Sequence, residues 1–360
     1  MENDKWKMIR SLPLAVLTRG DVRISGNKML HVHNGDSTAG TARKADLPGE
    51  HLAWREALVC GPAPSGLSGD DFRQVRARHL SDAYGVNLQD CEKELREQQE
   101  ALARFVDHDE VVLWFEHDLF CQVHLIYLLD WFAQSELGQT KLSLISIDNF
   151  RGIDDFRGLG QLNEEQLASL FPQRREIDSA QLNLGSRAWQ AYSSSDPSEI
   201  EGLLAEDTTA LPFLKSALFK HLARFPSMRN GLGRDGSLCL DLVADGQTEF
   251  KSLFLAFGNR EPLYGFGDAQ VFLELKRLTT GRQPILKMSN DENANPIDSN
   301  QPLRTSFQIT SHGKAVLNGD EDFVRLNGID LWLGGVHLQG DEAEWRWDED
   351  HHRLDRNANC

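Results

Sequence analysis

Residues 111–115, Val-Val-Leu-Trp-Phe, are an unbroken apolar run, and Leu119 to Phe132 is apolar on nearly every side. A strand without polar alternation has both faces covered. A helix without a polar stripe is itself buried. A buried strand followed by a buried helix fits an inner strand of a parallel sheet with helices on both faces. Neighbouring segments repeat the pattern. Met29 to His33 reads as a short strand, Thr38 to Ala45 as a helix, His51 to Trp54 as a second strand and Lys141 to Ile147 as a later one. Strand–helix–strand units of this length imply an α/β, Rossmann-like parallel sheet over 28–150.

The rest of the chain has a different rhythm. Gly61-Pro62-Ala63-Pro64 makes 55–66 a loop. Ser68 to Asp71 starts a helix, and a charged helix follows over Leu88 to Phe105. Over 151–207 a helical connector is expected, with Asn163 capping a helix to Phe171, another helix over Gln181 to Tyr192, and Pro197 at a helix's first position. From 208 to 347 come helical patterns at 212–225, 237–244, 249–257 and 268–278. Two strands follow, 284–288 and 305–309, around a polar loop, then 310–317, and 327–338 ends in a strand. Helices followed by a hairpin predict a winged-helix-like α+β domain. Residues 1–27 read as a flexible extension and 348–360 as a polar, mobile tail.

Composition narrows the function classes. No run of about 18 apolar residues spans a membrane, and the N-terminus lacks a signal peptide's long apolar region. Five scattered cysteines without a C-x-x-C suit free thiols in a reducing cytoplasm. The formal net charge of −17 disfavours nucleic acid as a partner. That charge is uneven. Residues 211–290 hold 11 Lys/Arg against 7 Asp/Glu, a net of +4, whereas 291–360 hold 6 against 14, a net of −8.

Three polar stretches follow strands, where ligands gather in an α/β sheet. In Asn34-Gly35-Asp36-Ser37, Gly35 can supply the positive φ of a tight turn. Asp36 and Ser37 either hold a ligand hydroxyl or cap the helix, and free N–H groups there suit an anion. In Glu116-His117-Asp118, His117 can act as acid or base with Glu116 or Asp118 orienting its ring. The alternative is a solvated strand end with Asp118 as a cap, and Gln122 shares that helix face. Trp54-Arg55-Glu56 brings a guanidinium suited to phosphate, or else to a salt bridge with Glu56 or Asp36. His31 completes the candidate binding set. His31 and His33 face one side of a strand, yet H-x-H in an apolar strand is commonly core, and no metal site is assigned. A nucleophilic Cys121, one turn from His117, and an inert buried thiol are both open. His337 reads as a packed strand histidine.

Several of these stretches resemble a family of bacterial proteins known only as carrying a domain of unknown function. Its N-terminal motifs are H-V-x-N-G-D-S, W-R-[DE]-x-L before G-P-x-P, and W-F-x-H-D-L; here His31 to Ser37, Trp54 to Leu58, Gly61 to Pro64 and Trp114 to Leu119 are similar. In the C-terminal half, Leu211 to Leu218, Asn230 to Arg234 and Leu326 to Leu338 are similar to its P-x-L-x-x-A-L, N-G-L-x-R and L-N-G-x-D-x-W-L-G-G-V-H-L segments. The resemblance covers most of 29–347 and implies the two-part fold; it brings no activity and no cofactor. Asp235-Gly236-Ser237 replaces the family's T-E-R, which counts against DNA reading by that helix. The expectation is an enzyme or binder for a small anionic, phosphate- or nucleotide-like ligand. The alternative is a DNA-binding transcriptional regulator with an α/β sensor.

Overall fold

A computed structural model describes residues 28–289 and 305–356. The first half runs β1 (Met29–His33), α1 (Asp36–Lys44), β2 (Glu50–Ala53), β3 (Gly61–Pro62), α2 (Gly69–Tyr84), α3 (Leu88–Ala103), β4 (Glu110–Trp114), α4 (Leu119–Ala133) and β5 (Lys141–Ile145). It continues with α5 (Glu164–Leu170), β6 (Arg175–Glu176), α6 (Ser179–Ser193) and α7 (Ser198–Leu204). One sheet has the order β2-β1-β4-β5-β6, parallel except for β6, with helices on both faces.

β4 shows why an unalternating strand needs two cores. Val111 and Leu113 pack into one apolar cluster with α4, while Val112 and Trp114 pack into a second with Ala42 of α1 and Leu167 of α5. The sheet does not stop at residue 150. β6 pairs with β5 at its edge, and α6 lies so close on α4 that a Cβ on Gly185 would sit 2.4 Å from Leu129 Cβ. The stretch expected as a connector is therefore built into the α/β layers.

The second half runs α8 (Leu214–Leu222), α9 (Arg234–Ala244), α10 (Phe250–Arg260), α11 (Asp268–Leu278), β7 (Leu286–Ser289), β8 (Ser306–Ile309), α12 (Ser311–Asn318) and α13 (Phe323–Asn327). Then come β9 (Ile329–Gly334), β10 (Val336–Gly340), β11 (Trp345–Asp348) and β12 (Arg353–Arg356). Three details differ from the sequence expectation. Gly61–Pro62, expected as loop, is a strand pairing parallel with β9 at Leu333 and Gly334. Residues 353–356 of the expected mobile tail pair with β11. Pro197 is the cap before α7, one position earlier than expected. The expected extension over 1–27 and most of the polar loop after β7 lie outside the described residues.

The halves share one core: Leu30 and Val32 of β1 belong to the same apolar cluster as Leu218, Leu275, Phe307 and Leu333. Polar ties cross between them as well. Arg224 donates to Val59 O at 2.6 Å, and Gln270 Nε2 to Tyr84 Oη at 2.8 Å. No helix among the described residues is long and apolar enough to cross a membrane.

Candidate functional site

The chain goes from β1 through α1 to β2 on one side, and β4 then enters on the other side of β1. The strand order thus reverses between β1 and β4, the place in an open α/β sheet where ligands commonly bind at the carboxyl ends of the strands. Asn34 to Ser37 leaves β1 there, and Phe115 to Asp118 leaves β4.

Gly35 adopts φ 96° and takes the N-cap position of α1, with no side-chain cap. This corrects the expected capping by Asp36 or Ser37. Asp36 is already helical, and its carboxylate receives Arg55 through two parallel bonds, Nε to Oδ2 at 2.7 Å and Nη2 to Oδ1 at 2.6 Å. That bidentate bond holds the Arg55 guanidinium above its ordinary pKa. Of the two readings of Arg55, the salt bridge is the one in place. Ser37 lies under the loop after β5, where a Cβ on Gly160 would come 3.4 Å from its Oγ.

A buried chain of polar groups links the segments that follow β1 and β4. Leu58 N–H donates to His124 Nε2 (3.3 Å), which leaves the ring proton on Nδ1 for Asn34 Oδ1 (3.2 Å). Asn34 Nδ2 donates to Cys121 Sγ, and the thiol donates to Glu116 Oε2, each at 2.7 Å. Leu159 N–H donates to Glu116 Oε1 at 2.7 Å from the opposite side. Glu116 is 2% exposed, and among the described residues no Lys or Arg pairs with it. The close approach depends on Gly158, where a Cβ would stand 2.8 Å from Glu116 Oε1.

Asp118 caps α4, with Oδ1 accepting Cys121 N–H at 2.8 Å, so the structural reading of that residue applies. Gln122 Nε2 donates to Glu116 O at 2.7 Å from the expected helix face. His117 lies between Phe156 and Phe213, ring centroids 6.5 and 6.0 Å away, and its Nδ1 has no hydrogen-bond partner among the described residues. The carboxylate expected to orient that ring is not on Nδ1. Cys121 bonds with Asn34 and Glu116, which replaces the suggested pairing with His117.

The remaining candidates point elsewhere. Trp54 and Glu56 face the α2 and α3 side, where Glu56 pairs with the buried Arg76 at 2.8 Å. His31 lies on the opposite side of the sheet from α4, in a stack with His33 and His51; ring planes differ by 15° to 23°. Trp114 Nε1–H donates to His31 Nδ1, so His31 Nε2–H donates to Pro48 O, both at 3.0 Å. His51 Nε2–H donates to Leu47 O, so His33 Nε2–H donates to His51 Nδ1. The nearest nitrogens of the three rings lie within 4.8 Å of one another. The lone pairs of His31 Nδ1 and His51 Nδ1 already accept from Trp114 and His33, so a metal would have to displace those bonds. His337 sits exposed on β10, stacked on Trp332 at 4.1 Å and bonded to Asp330.

Burial, reinforced by the neighbouring rings, pushes His31 down to about 4 and His33 well below its ordinary value; burial also lowers His51. A depressed histidine binds its proton more readily in the unfolded chain. The stability that these three rings contribute is therefore complete above pH 6.5 and is lost toward pH 4. His31 alone accounts for about 3 kcal/mol of that loss. Urea unfolding between pH 7 and 4 checks this, and His31→Gln should flatten the slope.

His51, His124, Arg76 and Leu159 were missing from the sequence candidates. His124 carried a signal, since a histidine inside an otherwise apolar helix must find a polar partner. His51 becomes a neighbour of His31 only through the parallel register of β1 and β2. No family model and no curated protein matches the chain.

Proposed function

We propose that the protein is an enzyme, or a binder without turnover, for a small anionic ligand of phosphate- or nucleotide-like chemistry held at the carboxyl ends of β1 and β4. The carrying observation is the buried polar chain from Leu58 to Leu159 through Glu116. A carboxylate kept from water without a cation is costly, and such cost is usually accepted where a site needs it. The uncapped first turn of α1 supports the anion end. Arg55 would exchange one oxyanion for another, and leaving a partly exposed pair costs ~1 kcal/mol or less. The uncommitted His117 Nδ1 supports a proton-handling role, with Glu116 accepting a ligand donor and Asp118 fixing the turn. Free thiols at Cys60, Cys91, Cys121 and Cys239 support a cytoplasmic setting. We also place the chain with the unknown-function proteins its motifs resemble.

Thermal melts with inorganic phosphate, nucleotides and sugar phosphates test this. A ligand at about 100 times its Kd should stabilise by ~2.7 kcal/mol. Arg55→Ala and His117→Ala should stay folded and lose that response. Wild-type responses from both variants would overturn the site.

The order α9, α10, α11, β7, β8, with Glu249 bridging Ser306, supports reading 234–309 as a winged helix. Lys276 is the one exposed residue of α11, and Gln270 on that helix is tied to Tyr84. A DNA-reading helix needs a free face. A packing role is thus favoured over a regulator, and retention on heparin at low salt, lost by roughly 0.2 M salt, would reverse that preference.

A further inference from the structure

Away from that site, on the α2 and α3 side of the sheet, a small half-open cavity offers about 20 Å³, room for one water-sized group. Its apolar walls are the rings of Trp54, Phe72 and Tyr127, with Tyr127 5.8 Å from Trp54 and 6.0 Å from Phe72. Its polar lining includes Arg76, Gln98 and Gln99.

The hydrogen-bond inventory of this lining is lopsided. Gln98 Oε1 accepts Arg55 N–H at 2.5 Å, and Gln99 Oε1 accepts Arg73 Nη1 at 2.8 Å. Both partners can only donate, so the amide orientations are fixed and each glutamine keeps its –NH2 for another acceptor. Among the described residues, Trp54, 3% exposed, has no partner for its indole N–H, and Arg76, 1% exposed, has none for Nε–H. Buried donors of this kind ordinarily find partners. On the acceptor side, Glu56 Oε1 is committed to Arg76 and Ala57 N–H, while Oε2 has no such bond. The charges balance: Arg76 pairs with Glu56 and Arg73 with Asp70. No net charge is left to attract an anion.

We propose that this cavity is a binding site for the amide edge of a neutral, planar heteroaromatic group, such as a carboxamide-bearing ring or a nucleobase. The carbonyl would enter toward the donors, an N–H would meet Glu56 Oε2, and the ring would lie against the aromatic walls. The proposal stands independently of the site at the ends of β1 and β4.

The test uses the full chain with nicotinamide and uracil as neutral probes and benzoate as a charged, acceptor-only comparator. The indole ¹H–¹⁵N signal of Trp54, assigned by its loss in Trp54→Phe, should shift with a neutral probe. Trp54→Phe keeps the wall and removes the donor, so it should weaken binding roughly three- to tenfold. Glu56→Gln should narrow the gap between nicotinamide and benzoate. An indole signal unmoved by either neutral probe at millimolar concentration overturns the proposal, because the cavity then holds water alone. Benzoate binding tighter than nicotinamide overturns the neutral amide class. Arg55→Ala and His117→Ala should leave the indole response unchanged, which separates this site's failure from that of the site at the ends of β1 and β4.

Discussion

Arg76→Ala is expected to lower the unfolding free energy by about 3–5 kcal/mol, measured by urea unfolding. Arg76 is almost wholly buried and donates to Glu56 Oε1 and to the carbonyls of Ala57, Cys60 and Pro62. Its loss strands a carboxylate and three carbonyls in an apolar setting. The size of the effect would describe the orphaned partners more than the worth of the pair. Replacing both partners, as in Glu56→Gln with Arg76→Met, should recover part of the loss. If the single variant costs less than 1 kcal/mol, water reaches the pair and the closed packing of the α2 face is wrong.

Gly334→Ala should cost about 3 kcal/mol or more. Gly334 ends β9 with φ 64°, and a Cβ there would meet Tyr192 O at 2.3 Å. Left-handed backbone costs an alanine ~1–2 kcal/mol, and overpacking against a fixed backbone atom adds ~1–3 kcal/mol. Gly340 is the internal comparison. It also has a positive φ, 96°, but nothing lies within 4 Å of its would-be Cβ. Gly340→Ala should therefore show the backbone strain alone. Equal losses from both substitutions would mean that α6 and the β9–β10 turn are not in contact.

The parallel sheet was legible because periodicity is local. Val111 to Phe115 shows no alternation, and both faces of β4 are covered. Asp268 to Leu278 is a helix with the bounds its apolar spacing implied. Gly61 and Pro62 defeated the same logic. A two-residue strand has no period, and its partner lies far along the sequence at Leu333 and Gly334. The site divides in the same way. Strand ends marked Asp36, Arg55 and Glu116 as edge residues, but which ones meet is a matter of register and crossing. Asp36 with Arg55, and Asn34 with Cys121 and His124, became pairs only through tertiary packing. Capping was misjudged at Asp36 because the glycine before it took the cap position, freeing the carboxylate for Arg55.

The pairing of β3 with β9 has a consequence for synthesis. A ribosome releases residues 61 and 62 long before 333 and 334 exist, so β3 must wait unpaired while most of the chain is made. Contacts of such separation close late and slowly. The α2 flank of the sheet, next to β3, is thus expected to reach its final protection only near the end of translation, leaving nascent chains open to proteolysis there until β9 arrives.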